Sequence, residues 1–201
     1  MKTRRTPGSR RAGFTLIEIM IALTILGMIA ANVLMVTRSS SKAYESGAAQ
    51  SALDLQLERT MERIALAVMA ARTQSLNPPN PFPLWTDSLT FDQSKGYEAG
   101  SEVTSDLQTI ELIAGPEQIV WKERPGSPDE RKVVWTNWVR DLFKDEVGNG
   151  IDDDANGLVD EAGLAFTIEG NRVTIRLTLQ REGPDHTVIK RTQETTVTCR
   201  N

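Results

Sequence analysis

Residues 10–36 of this chain read RRAGFTLIEIMIALTILGMIAANVLMV, and this stretch decides how the rest of the chain is arranged. A basic, polar leader ends at Gly13, and an apolar run of 23 residues then extends from Phe14 to Val36. At about 1.5 Å per helical residue the run spans ~34 Å, enough to cross a hydrocarbon core of ~30 Å. A carboxylate, Glu18, lies inside its first turns, although a central acid costs about 2.5–3.5 kcal/mol on insertion scales.

The charges that flank the apolar run predict its orientation. The leader, residues 1–13, holds five basic residues and no acid. This places the leader on the cytoplasmic side of a membrane and the rest of the chain on the far side. A conventional secretory signal would have a shorter apolar core followed by a small-residue cleavage site. A plain signal anchor fits the length of the run but gives no reason for Glu18.

The hexapeptide GFTLIE at residues 13–18 resembles the N-terminal motif of type IV prepilins and type II secretion pseudopilins. In that family a prepilin peptidase cuts after the glycine and methylates the new N-terminal amine. The resemblance therefore implies cleavage between Gly13 and Phe14, N-methylation of Phe14, and a match of Glu18 to the family's glutamate. It also implies a single-pass protein of the bacterial inner membrane, with a cytoplasmic N-terminus and a periplasmic head, that enters a periplasmic or extracellular filament.

Glu18 lies four residues past the predicted new N-terminus, which is about 6 Å along a helix axis. Cleavage would leave an ammonium group and a carboxylate close together. In a filament, Glu18 could instead meet the Phe14 amine of a neighbouring subunit, where desolvation penalises a missing partner. We therefore expect Glu18 to be an assembly residue and not a catalyst.

The helix is predicted to continue beyond the apolar run. Residues 37–72 contain no proline and one glycine, and a proline cluster at residues 78–83 ends the helix. A stripe of apolar residues at helical spacing predicts packing against a C-terminal sheet, with a partner-helix interface as the alternative. The stripe consists of Leu53, Leu57, Met61, Ile64 and Val68.

After the prolines the pattern becomes that of β-strands. Apolar and polar residues alternate over residues 172–180, which predicts a sheet with one buried and one solvated face. The fold class is therefore α+β and pilin-like: a long N-terminal transmembrane helix that extends into an antiparallel β-sheet globular head. Other strands are predicted at residues 109–114, 118–123, 131–140, 164–169 and within 187–199. The predicted segments are the leader 1–13, the transmembrane segment 14–36, the periplasmic amphipathic continuation 37–76 and the head 77–201.

A second informative stretch, DEVGNGIDDDANGLVDE, occupies residues 145–161. It holds seven acids and an internal repeat offset by seven residues, in which NGI at 149–151 corresponds to NGL at 156–158. The order D-x-D-x-N-G from residue 152 follows the start of a calcium loop, where alternate side chains converge on one hard cation. The expected calcium ligands are Asp152, Asp154, Asn156, Asp160 and Glu161.

The acidic loop is not expected to be an EF-hand. The twelfth loop position, where an EF-hand has a bidentate glutamate, is Gly163, and no helix pair flanks the loop. The alternative to a calcium site is a solvated acidic loop that joins two strands.

Composition excludes several functional classes. The formal net charge is −4, and loss of the five basic leader residues would leave 18 basic against 27 acidic residues, a charge of −9. This argues against direct nucleic-acid binding. A single cysteine excludes an intramolecular disulfide. One histidine, and no nucleophile elbow, phosphate loop or zinc-spaced cluster, predict that the chain is not an enzyme.

The resemblance implies a structural subunit of a type II secretion pseudopilus or a type IV pilus. Residues 52–64, ALDLQLERTMERI, resemble J-class minor pseudopilins and W-class minor pilins, which prime filament assembly. The expected partners are prepilin peptidase, other pilins or pseudopilins in a hetero-oligomeric filament tip, and the inner membrane. The alternative is a membrane-anchored calcium-binding adhesion or binding module that does not polymerise. Protein secretion, motility and DNA uptake all stay open as the purpose of the machine.

Overall fold

The computed structural model describes residues 13–79, 85–184 and 186–200. Apart from Gly13, the predicted leader lies outside the described residues. A long helix is followed by antiparallel sheets, so the predicted α+β class is confirmed. The elements are α1 (Leu16–Met69), a 3₁₀ turn (Thr73–Ser75), β1 (Ser88–Phe91), β2 (Ser94–Glu98), β3 (Ser101–Thr104), β4 (Gln108–Ile113), β5 (Gln118–Glu123), β6 (Arg131–Thr136), β7 (Leu164–Glu169), β8 (Arg172–Glu182) and β9 (Val188–Thr198).

The chain divides into two compact units between Glu45 and Ser46. In the first unit every described residue is exposed, including the whole apolar run. Within the apolar run, two polar side chains bond to their own helix: Thr24 to the Ile21 carbonyl at 2.8 Å, and Asn32 to the Met28 carbonyl at 2.9 Å. These bonds satisfy polar groups that an apolar solvent could not.

In the second unit, α1 buries the predicted stripe. Leu53, Ile64 and Val68 have no exposed surface, and Leu57 and Met61 retain at most 7 %. The stripe belongs to one core with the inward-facing residues of β8, among them Val173 and Ile175. Packing of the stripe within its own unit is therefore confirmed.

The helix ends at Met69, before the predicted end near Arg72 and well before the boundary at residue 76. The residues that follow pair with strands, since Ala71 bridges Gln93 and Arg72 bridges Arg200. Arg72 has extended backbone angles, φ −78° and ψ 131°. The chain thus leaves the helix because its backbone groups find partners in the sheet region.

The described strands form three sheets and not one. A four-stranded sheet has the order β1-β4-β5-β6, a three-stranded sheet has the order β7-β8-β9, and β2 and β3 form a hairpin. Thr86 and Phe166 exchange two backbone hydrogen bonds, at 3.0 and 2.8 Å, which join the two larger sheets. Sequence patterns predicted none of β1, β2 and β3, because these strands are only four or five residues long and β2 and β3 are mostly polar.

The bounds of β5 and β7 match the predicted strands. The strand predicted at residues 131–140 stops at Thr136, and Val139 bridges Leu179 in β8 instead. The chain thus moves from one large sheet to the other at this point. The connection from β6 to β7, residues 137–163, contains the acidic loop.

Candidate functional sites

The N-terminal motif begins helix α1. Thr15 accepts the Glu18 N–H on its side-chain oxygen at 3.3 Å and on its carbonyl at 3.1 Å. Thr15 is therefore the N-cap, and Glu18 takes the third helical position, where an acid is favourable in a capping box. This capping role was not predicted, although T-x-x-E at residues 15–18 is its usual signature.

Phe14 and Glu18 are both exposed at the start of the helix. Residues four apart share one helix face, so the side chain of Glu18 lies on the same face as Phe14. Cleavage after Gly13 would create a free amine on Phe14. The first turn thus presents an apolar ring and a carboxylate together.

The acidic loop closes at its base by backbone pairing. The Phe143 N–H donates to the Glu161 carbonyl at 2.8 Å, and Leu142 bridges Ala162. The Arg140 guanidinium donates to the Leu142 carbonyl at 3.1 Å and to the Lys144 carbonyl. These contacts hold residues 145–161 as a closed loop.

The internal repeat is present in the structure. Gly150 and Gly157 both have positive φ, 75° and 90°, which glycine adopts without strain. In each copy the asparagine side chain accepts the N–H two residues later at 2.8 Å, on Ile151 and on Leu158. The copies differ in burial, since Ile151 is 61 % exposed and Leu158 is 5 % exposed.

Three carboxylates converge inside the loop. One oxygen from each of Glu146, Asp152 and Asp154 lies within 4.8 Å of the others. Glu146 is fully buried, and its Oε1 accepts the N–H groups of Asp153 and Asp154 at 3.1 and 3.2 Å. Glu146 was not among the predicted ligands, because it lies outside the D-x-D-x-N-G pattern. The available signal was the repeat, in which Glu146 corresponds to Asp153.

The five predicted ligands have different positions. Asp152 and Asp154 join the cluster, but the two oxygens of Asp160 accept the N–H groups of Asn149 and Gly150 at 3.1 and 2.9 Å. The Asn156 side chain also makes a hydrogen bond within the loop, because its Oδ1 accepts the Leu158 N–H. Asp160 and Asn156 thus shape the backbone.

Glu161, the fifth predicted ligand, is fully buried. Its Oε1 accepts a hydrogen bond from Asn156 Nδ2 at 2.7 Å. Burial raises the pKa of Glu161, and the charges of Glu146 and Asp154 raise it further, against the Asn156 hydrogen bond.

Gly163 has a packing role. A Cβ added there would lie 1.7 Å from the Arg140 carbonyl oxygen, so no larger residue fits without a backbone shift. The close approach lets the Gly163 carbonyl accept the Thr178 N–H at 2.8 Å. The residue that breaks the EF-hand pattern is thus required by the fold.

The prokaryotic N-terminal methylation motif matches residues 8–31 of the chain. Neither a curated protein nor a solved structure matches the chain significantly. The family of this motif is structural and not enzymatic, in agreement with the prediction that the chain is not an enzyme. Helix α1 is long and apolar enough to cross a membrane by length and composition, which together with the motif indicates membrane anchoring. Residues 8–31 therefore carry a motif of the prepilin type, and in general that motif implies processing by prepilin peptidase and assembly with other pilins.

Proposed function

We propose that this chain is a minor subunit of a type II secretion pseudopilus or a type IV pilus that primes filament assembly. Prepilin peptidase cuts it between Gly13 and Phe14 and methylates the Phe14 amine. One observation carries the proposal: the methylation motif covers the start of a helix that exposes every residue of its first unit.

The exposed apolar surface supports a role that needs a partner. Phe14 and Leu16 are 77 % and 78 % exposed, and the large apolar residues up to Val36 are all at least half exposed. A contiguous apolar surface of this extent marks a membrane or protein interaction site. Lipid covers it before assembly, and the helices of neighbouring subunits cover it in a filament.

Glu18 supports subunit registration. In the apolar centre of a filament, its carboxylate would pair with the methylated Phe14 amine of the adjacent subunit. A buried charge left without its partner is strongly unfavourable, by about 3–5 kcal/mol. An incoming subunit is therefore held only where the two groups meet.

The second unit supports assignment as a minor subunit. The segment ALDLQLERTMERI, which resembles J-class pseudopilins and W-class pilins, lies on the part of α1 that carries the buried stripe. Its charged residues, among them Glu58, Arg59 and Glu62, remain exposed. They offer a charged face to partners in the filament tip.

The test is mass spectrometry of the mature chain, made in its source bacterium with its prepilin peptidase present. The expected N-terminal peptide begins with N-methylated Phe14, and the chain is found in sheared filaments. Deletion of the gene should reduce filament number, and re-expression should restore it.

A second function is favoured by the carboxylate cluster: a membrane-anchored calcium-binding module that does not polymerise. Under that function the chain stays in the membrane fraction, and its deletion leaves filament number unchanged. Those two results together would reject the filament proposal.

A further inference from the structure

We propose that Glu146, Asp152, Asp154 and Glu161 bind one calcium ion inside the acidic loop. The first three already place one carboxylate oxygen each within 4.8 Å of the others. Ca²⁺ takes six to eight oxygen ligands at about 2.3–2.6 Å, so oxygens at such separations can share one ion.

Glu161 gives an independent indication of a ligand. Its side chain is fully buried, and its Oε2 has no hydrogen-bond partner among the described residues. Oε1 of the same carboxylate is fixed by Asn156 Nδ2 at 2.7 Å, so the orientation of Oε2 is set. Asn156, whose side chain holds Glu161, also donates its backbone N–H to Asp152 and Asp154, which places Glu161 beside the cluster. A buried carboxylate oxygen without a donor is unfavourable unless a cation or a proton satisfies it.

Protein cations do not balance the cluster. Among the described residues, one of the four proposed ligands forms an ion pair: Asp154 Oδ2 lies 3.4 Å from Lys144 Nζ. The Lys144 side chain is half exposed. Backbone N–H groups contribute partial charge: Glu146 Oε2 accepts the Asp160 N–H at 3.1 Å. Four ionised carboxylates with one lysine leave a net negative charge, and a divalent ion would remove most of it.

The loop backbone prepares the ligands. The Asn156 N–H donates to both Asp152 Oδ1 at 3.1 Å and Asp154 Oδ1 at 3.2 Å, which holds the two carboxylates together. The Gly157 N–H fixes Asp152 Oδ2 at 2.8 Å. Donor atoms that are all oxygen select a hard cation over zinc or copper, and an irregular set with several carboxylates suits calcium better than magnesium.

Trp85 supplies a local reporter. Its indole N–H donates to the Val159 carbonyl at 2.9 Å, so the ring is attached to the acidic loop. Terbium binds calcium sites and emits when a nearby tryptophan is excited. Emission that Trp85→Phe abolishes would therefore report an ion in this loop.

The experiment uses the full chain in detergent micelles, freed of metal by a chelator. Calcium chloride is titrated by calorimetry, and terbium chloride by tryptophan-sensitised emission that calcium reverses. The expected result is one calcium ion per chain, with magnesium at least tenfold weaker. Asp154→Asn and Glu161→Gln should each weaken calcium binding about tenfold or more, while Asp145→Asn, which removes the same charge from an exposed position in the loop, should change it less than twofold.

Three results would overturn the proposal. The first is the absence of calcium heat together with the absence of terbium emission. The second is equal weakening by Asp145→Asn and Asp154→Asn, since a diffuse acidic surface would behave so. The third is that Glu161→Gln raises thermal stability and leaves the calcium affinity unchanged. A proton on Glu161, and not a cation, would then satisfy the buried Oε2. Circular dichroism confirms that each variant is folded, and since ion binding is read without assembly, these outcomes are separate from the filament test.

Discussion

From Leu16 to Glu45, helix α1 exposes every residue, whereas from Ser46 to Met69 the same helix buries one stripe in a core. Up to Val36 the first part is apolar on nearly all faces, whereas the second part is apolar on one face. A helix that is apolar all round needs a membrane or other subunits around it, while a one-sided helix packs on its own domain. Periodicity and not hydrophobicity therefore identifies the part that belongs to the folded core.

The strongest test of this difference compares two leucines in the second part of the helix. Leu53 has no exposed surface and Leu55 is 52 % exposed. We expect Leu53→Ala to lower the free energy of unfolding by about 2–5 kcal/mol and Leu55→Ala by less than about 0.5 kcal/mol. Thermal unfolding of the full chain in detergent, followed by tryptophan fluorescence, measures both. Equal losses would show that the stripe is not the packed face.

The role of the first part of the helix is tested by incorporation into filaments and not by the free energy of unfolding. Glu18→Ala should leave cleavage at Gly13 and the unfolding temperature unchanged but reduce incorporation into sheared filaments about tenfold or more, since it removes the expected partner of the Phe14 amine. Glu98→Ala, which removes an exposed acid from strand β2 of the head, is the control and should incorporate normally. Normal incorporation of Glu18→Ala would remove the registration role and leave only the helix cap.

The end of the second part predicts an acid-sensitive contribution to stability. Arg72 donates from Nε and Nη2 to the two oxygens of Asp92, both at 2.7 Å. These hydrogen bonds hold the pKa of Asp92 below its ordinary value, against the effect of its burial. A lowered acid pKa stabilises the fold above the unfolded pKa, and this contribution is lost as pH falls through the folded pKa.

Asp92→Asn should therefore cost about 1–2 kcal/mol at pH 7 and remove part of the loss of stability below about pH 5. Asp87→Asn removes an exposed acid from the same region and is the control. Unfolding at a series of pH values measures both. An unchanged acid slope in Asp92→Asn would mean that the pair does not fasten the helix end.

The smallest expected effect lies at the junction of the two parts. Gly47 is helical, and a Cβ added there would meet no atom within 4 Å. Gly47→Ala should therefore stabilise the helix by about 0.5–1 kcal/mol, because glycine loses more backbone entropy on folding. Gly163→Ala, with its contact of 1.7 Å, should do the opposite and destabilise strongly. A loss of stability in Gly47→Ala would contradict this expectation.

Local patterns predicted the features that depend on neighbours in sequence. The stripe from Leu53 to Val68 repeats at helical spacing, and β8 alternates, so both were visible before the structure. Strand β2 reads SKGYE and has no alternation to detect, because its partner β3 and not its burial holds it. The end of α1 was missed because its cause, the pairing of Ala71 and Arg72 with distant strands, is not local.

The acidic loop shows the same limit. Asp152 and Asp154 were predicted because their spacing is a local signature. Glu146 was not, because its burial depends on the closed base of the loop, and Asp160 reaches back eleven residues to the Asn149 N–H. Contacts across the loop decide which acids face its centre, and spacing alone does not encode them.

The hydrogen bonds that Thr24, Asn32 and Thr37 make to carbonyls three or four residues earlier also bear on the proposed transfer of the chain from the membrane into a filament. Since these polar groups are satisfied within the helix, none has to be stripped of an outside partner when the surroundings change from lipid to protein. The helix can pass from one medium to the other with its internal bonding intact. The barrier to withdrawing the subunit from the bilayer then depends mainly on its apolar surface and on one carboxylate near the end.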